Sequence, residues 1–92
     1  MNYEIKFLKD AFKYLQKQDI TTRNRILDHL KILSENPRHP ELDIKRMQGM
    51  ENHFRLRVGS FRVIYSVIDN ELIIIVVKIG SRGDIYKNLD GT

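Results

Sequence analysis

The sequence predicts an α+β fold of order β-α-α-β-β-β, with two N-terminal helices packed on one face of a largely antiparallel four-stranded sheet. Three observations carry this expectation. Apolar residues recur at helical spacing between Leu8 and Leu33, and the pattern changes to alternation with period two after Gly49. Gly59-Ser60 then separates two alternating runs, as a two-residue hairpin turn would. Ninety-two residues are read as a single domain, 1–92.

The elements follow in order. Tyr3 to Phe7 alternates Tyr, Glu, Ile, Lys, Phe, the pattern of a half-buried strand. Leu8, Ala11, Phe12 and Leu15 mark a helix ending near Lys17–Gln18. Asp19 suits the N-cap of a second helix, where its carboxylate accepts from the N–H of Thr21 or Thr22. Ile26, Leu27, Leu30 and Leu33 supply that helix's buried stripe. Pro37 stops it, because the residue before a proline disfavours the α region. Asn36 to Gly49 reads as an irregular connection punctuated by Pro37, Pro40 and Gly49. His53 to Val58 and Phe61 to Ile68 form the hairpin. Asp69-Asn70-Glu71 is the next turn, and Leu72 to Ile79 is the last and most apolar strand.

Composition narrows the function classes. Cysteine is absent, which excludes disulfides and thiolate metal sites. No segment has the apolar core of a signal peptide, and the longest apolar run, Leu72 to Val77, is too short to span a bilayer. A cytoplasmic protein is the expectation. The net charge is +4 and the isoelectric point about 9.5. Residues 1–43 hold 8 Lys/Arg against 7 Asp/Glu, while residues 44–92 hold 8 against 5. An anionic partner is therefore expected on the second half.

The hairpin sharpens that expectation. With a two-residue turn, Val58 faces Phe61, Leu56 faces Val63 and Phe54 faces Tyr65, on the side that meets the helices. The other side holds Arg55, Arg57 and Arg62, with Arg57 directly opposite Arg62. Like charges across a strand pair destabilise a sheet by several tenths of a kcal/mol, and an anionic ligand reverses the sign. Three arginines on one face weigh against a merely solvated surface, and the planar guanidinium fork favours phosphate. A three-residue turn, Asp69 to Glu71, sets Lys78 beside Arg62 on this face; a two-residue turn sends it toward the helices. The glycines of Gly80-Ser81-Arg82-Gly83-Asp84-Ile85-Tyr86 let the chain bend, so that Arg82 and Tyr86 reach the same face from its edge. Tyr86 there either stacks on a base or caps the core.

Lys45-Arg46-Met47-Gln48-Gly49, the run Phe54-Arg55-Leu56-Arg57-Val58-Gly59-Ser60-Phe61-Arg62-Val63-Ile64-Tyr65, Gly80-Ser81-Arg82 and Asp84-Ile85-Tyr86 together resemble the RelE branch of the RelE/ParE toxin superfamily of type II toxin–antitoxin pairs. The order of elements matches too, so the resemblance spans nearly the whole chain. It implies a ribosome-dependent mRNA endoribonuclease that inhibits translation. The cut is a transesterification in which a ribose 2′-OH attacks the adjacent phosphate and leaves a 2′,3′-cyclic phosphate. It also implies the ribosome, mRNA and a cognate RelB-like antitoxin as partners, with no membrane, cofactor or metal. The antitoxin is expected to cover the basic face with an acidic or amphipathic segment. Carried over by position, Arg62, Arg82 and Tyr86 are the catalytic residues and Arg55 and Arg57 bind RNA; Lys45 and Lys78 are expected to bind RNA beside them.

The chain departs from the family at two points. Arg55 and Arg57 stand where relatives often have lysine, and arginine stays protonated in proteins. Ser81 stands where many relatives have histidine. These departures leave the base open. His29 and His39 are expected to face solvent. His53, at the start of the first hairpin strand, is one less favoured candidate, and Tyr86 is another only if the nearby arginines lower its pKa from about 10. The competing readings are a ParE-like gyrase-inhibiting toxin and a non-catalytic module that binds RNA or antitoxin.

Overall fold

The computed structural model describes residues 2–81. They form β1 (Glu4–Phe7), α1 (Lys9–Gln16), α2 (Ile20–Glu35), β2 (Asp43–Arg46), β3 (His53–Val58), β4 (Phe61–Ile68), a 3-10 turn (Asp69–Glu71) and β5 (Ile73–Ser81). The five strands make one sheet in the order β1-β5-β4-β3-β2. β1 runs parallel to β5, and the other neighbours are antiparallel.

Both helices pack on one face. α1 contributes Ala11 and Leu15, and α2 contributes Ile26, Leu30 and Leu33. They meet Leu56, Val58, Val63, Tyr65, Ile74, Val76 and Ile79 from the sheet. Period-two alternation on β3 and β4 delivers Leu56, Val58, Val63 and Tyr65 to one side. Tyr3 Oη donates to Asp69 Oδ1 at 2.7 Å, tying β1 to the turn before β5.

The sheet has five strands, where the sequence predicts four. The additional one, β2, lies inside the segment expected to be irregular. It is an edge strand of four residues with a single apolar member, Ile44, paired with Leu56 of β3. The helix stripes are also narrower than expected. Leu8 is the extended N-cap residue of α1 and is exposed, as are Phe12 and Leu27. An eight-residue helix buries little beyond one i, i+4 pair, here Ala11 and Leu15. Asp19 does hold the N-cap of α2, but its side chain makes no capping bond of normal geometry. The Thr22 hydroxyl and amide beside it still hold its carboxyl below the usual carboxylate range.

Candidate nucleic-acid interface

The hairpin closes as the sequence predicts. Gly59 has φ of +60° while Ser60 stays at negative φ, the signature of a two-residue turn with glycine first. The ladder then pairs Val58 with Phe61, Leu56 with Val63, Phe54 with Tyr65 and Arg57 with Arg62. Arg55, Arg57 and Arg62 therefore share the face turned away from the helices. β2 extends this face. Lys45 stands opposite Arg55, and Asp43 stands opposite Arg57. Arg57 Nη1 lies 3.8 Å from Asp43 Oδ2, with both side chains about half exposed. Such a pair stabilises little, on the order of a few tenths of a kcal/mol.

Lys78 reaches the same face by a different route from the expected one. The connection after β4 has four residues, Asp69 to Leu72, and pairs Ile68 with Ile73. Leu72 closes it in the left-handed region, at φ 55°. Continued without interruption, that register would aim Lys78 at the helices. A β-bulge between Ile64 and Tyr65 leaves Val77 without a cross-strand partner and moves the register by one. Lys78 then faces Ile64, two residues along β4 from Arg62 rather than directly beside it.

Arg62 is the least exposed charged residue on this face, with 7% of its surface accessible. Its Nη1 donates to the carbonyls of Gly59 at 3.2 Å and Phe61 at 3.1 Å. The guanidinium is thus folded against the hairpin turn, and it makes no ion pair among the described residues. Its neighbour on β5 is Gly80, so no side chain competes for the space on that side. Arg82 and Tyr86 lie outside the described residues.

The histidines do not gather around Arg62. His53 lies opposite Ser66, four residues along β3 from the Arg57–Arg62 pair, or about 13 Å at the usual strand rise. Its Nδ1 is 2.7 Å from the Glu51 carbonyl. His29 Nδ1 is 2.8 Å from the Arg25 carbonyl on α2, and His39 Nδ1 accepts the Glu41 N–H at 3.1 Å. A concavity of about 500 Å³ beside Ile44, Phe54 and Tyr65 opens on the helix side of the sheet and is separate from the basic face.

One residue escapes the sequence reading. Arg25 of α2 lays its guanidinium over Gly59. A Cβ on that glycine would sit 3.1 Å from both Nη atoms and 3.2 Å from Cζ. No period or motif marks Arg25, because the contact depends on where α2 crosses the hairpin tip.

The chain matches, over residues 5–86, the family described as ParE toxin of type II toxin-antitoxin system, parDE. Among curated relatives, it is 37% identical over 90 residues to a RelE-like toxin protein of Escherichia coli, covering 94% of this chain and 92% of that one. It is 27% identical over 84 residues to the mRNA interferase toxin RelE of Escherichia coli K12, covering 89% and 85%. Among solved structures, it superposes on the archaeal RelE–RelB complex from Pyrococcus horikoshii with a TM-score of 0.79 and 32% identity, covering 91% of this chain and 99% of that chain. The intact Escherichia coli RelBE toxin–antitoxin complex gives a TM-score of 0.74 at 26% identity, covering 86% and 95%. Family match, relatives and fold agree: the chain belongs to the type II toxin–antitoxin toxins, in the RelE branch of the RelE/ParE superfamily.

Proposed function

We propose that this toxin is a ribosome-dependent mRNA endoribonuclease, with the face of Arg55, Arg57 and Arg62 as its RNA surface. The observation that carries the reading is the in-register opposition of Arg57 and Arg62 on a face that also holds Arg55, Lys45 and Lys78. Folding alone disfavours such a cluster, and a polyanion stabilises it. The mRNA interferase activity named for a relative supports the same reading.

In the proposed reaction the ribose 2′-OH attacks the adjacent phosphorus. The P–O5′ bond breaks, leaving a 2′,3′-cyclic phosphate and a 5′-OH. The 2′-OH loses a proton and the departing 5′ oxygen gains one. Arg62 and Arg82 face the charge that develops on the phosphorane oxygens. Arg55, Arg57, Lys45 and Lys78 hold flanking phosphates. Tyr86 stacks on a base or orients the phosphate. Arginine does not serve as a base at neutral pH, and His53 is far from Arg62, so the rate is assigned to positioning and electrostatics.

The partner we assign is a RelB-like antitoxin, supported by the toxin–antitoxin complexes among the structural relatives. The compartment is the cytoplasm, where ribosomes are. Among the described residues no helix is long and apolar enough to cross a membrane.

The name of the matching family favours a second reading, a gyrase-inhibiting toxin. One experiment separates them. The purified protein is added to translating ribosomes and the mRNA ends are mapped, with a gyrase supercoiling assay in parallel. Cuts within codons with gyrase untouched support the nuclease; gyrase inhibition without cuts supports the alternative.

A further inference from the structure

The tip of the β3–β4 hairpin is flanked by two guanidinium groups from different parts of the chain. Arg62 donates from Nη1 to the Gly59 carbonyl at 3.2 Å. Arg25, reaching over from α2, has Nη1, Nη2 and Cζ all within 3.1–3.2 Å of the position a Gly59 Cβ would take. Near-equal distances to the three atoms mean that the guanidinium lies over the glycine face-on. A single residue, Gly59, therefore has one arginine over the position its Cβ would take and another bonded to its carbonyl.

Neither cation is neutralised among the described residues. The acid near the hairpin, Asp43, is paired with Arg57. Arg62 is also more than nine-tenths buried, so it has lost most of its hydration without gaining a counter-ion among the described residues. Its two recorded bonds use Nη1 alone. Two like charges around one backbone residue repel, and a shared anion turns the repulsion into attraction. A phosphodiester suits this place because its two non-bridging oxygens can each accept from a different guanidinium.

We propose that Arg25 and Arg62 clamp one phosphate group of the bound RNA at the hairpin tip. The proposal rests on the reading of this face as the RNA surface and adds Arg25 to it. It also gives Gly59 a second role. A side chain there would strain the turn and displace Arg25 from the clamp.

The test uses a 2′-O-methyl oligoribonucleotide, which cannot undergo the cleavage, and measures binding by fluorescence anisotropy over a series of salt concentrations. Arg25→Ala should weaken binding about tenfold, the scale of one charge-assisted hydrogen bond. The plot of log K against log salt should become shallower by about 0.7, the single-strand value for one phosphate contact. Arg25→Lys should keep the slope and lose part of the affinity. Arg25→Ala with Arg62→Ala should bind no more than about twofold more weakly than Arg62→Ala alone, because partners on one phosphate are not additive. The melting temperature of free Arg25→Ala should not fall.

A wild-type slope for Arg25→Ala, fully additive losses, or a lowered melting temperature with unchanged binding would overturn the clamp. Arg57→Ala separates the clamp from the reading beneath it. If Arg57→Ala flattens the slope and Arg25→Ala does not, the face binds RNA and the clamp is wrong. If the wild type does not bind the oligonucleotide, the clamp is wrong, while the ribosome-dependent reading stands or falls with the cleavage mapping on translating ribosomes.

Discussion

Arg57 and Arg62 stand directly opposite each other across the β3–β4 ladder, with Asp43 at 3.8 Å from Arg57 and no carboxylate on Arg62 among the described residues. A strand pair that stabilises itself would place opposite charges there. In Arg57→Gln the cross-strand repulsion disappears together with a weak, half-exposed ion pair. The free variant should unfold within about 0.5 kcal/mol of the wild type. Its RNA affinity should fall and its salt dependence should become shallower. Thermal melts and salt-series binding read the two effects separately.

Gly59 is held at φ +60° beneath the Arg25 guanidinium. Gly59→Ala should cost about 1–2 kcal/mol, the usual penalty for an L-residue in the left-handed region. For a chain of this size that is a fall of roughly 4–16 °C in melting temperature. Adding Arg25→Ala removes the steric part only, so the double variant should recover a fraction of the loss.

Burial holds the Tyr65 hydroxyl well above its ordinary pKa. The folded state therefore favours the neutral phenol. Its contribution is fully present below the unfolded value near 10 and is lost as pH rises toward the folded value. The hydroxyl makes no hydrogen bond to a described residue, so Tyr65→Phe should melt close to the wild type at pH 7. Above about pH 10 the wild type should lose stability more steeply than the variant. Melts across pH 7–11 would show the two curves diverging.

The hairpin was legible in the sequence because alternation over one covered face specifies both parity and register. Leu56, Val58, Val63 and Tyr65 on one side, and the arginines on the other, follow from that period and from the glycine that opens the turn. β2 was not legible, since four residues with one apolar member carry no period. Nor was the bulge at Val77. It lies in the run Ile73 to Val77, where every residue is apolar and a one-residue slip leaves no mark on the pattern. The requirement that Lys78 avoid the helices still gave its face correctly, although the turn that delivers it was misread. The folding of Arg62 onto the turn carbonyls and the reach of Arg25 depend on packing between elements distant in the chain.

The central claim is that Arg62 acts on the phosphate that is cut. The most direct measurement is the cleavage rate of ribosome-bound mRNA by purified Arg62→Ala against the wild type, with fragment ends analysed for the cyclic phosphate. The account predicts 2′,3′-cyclic phosphate ends from the wild type. It predicts at least about a hundredfold slower cutting by the variant, the scale of losing one donor to a developing oxyanion. Cutting by Arg62→Ala at the wild-type rate would contradict it.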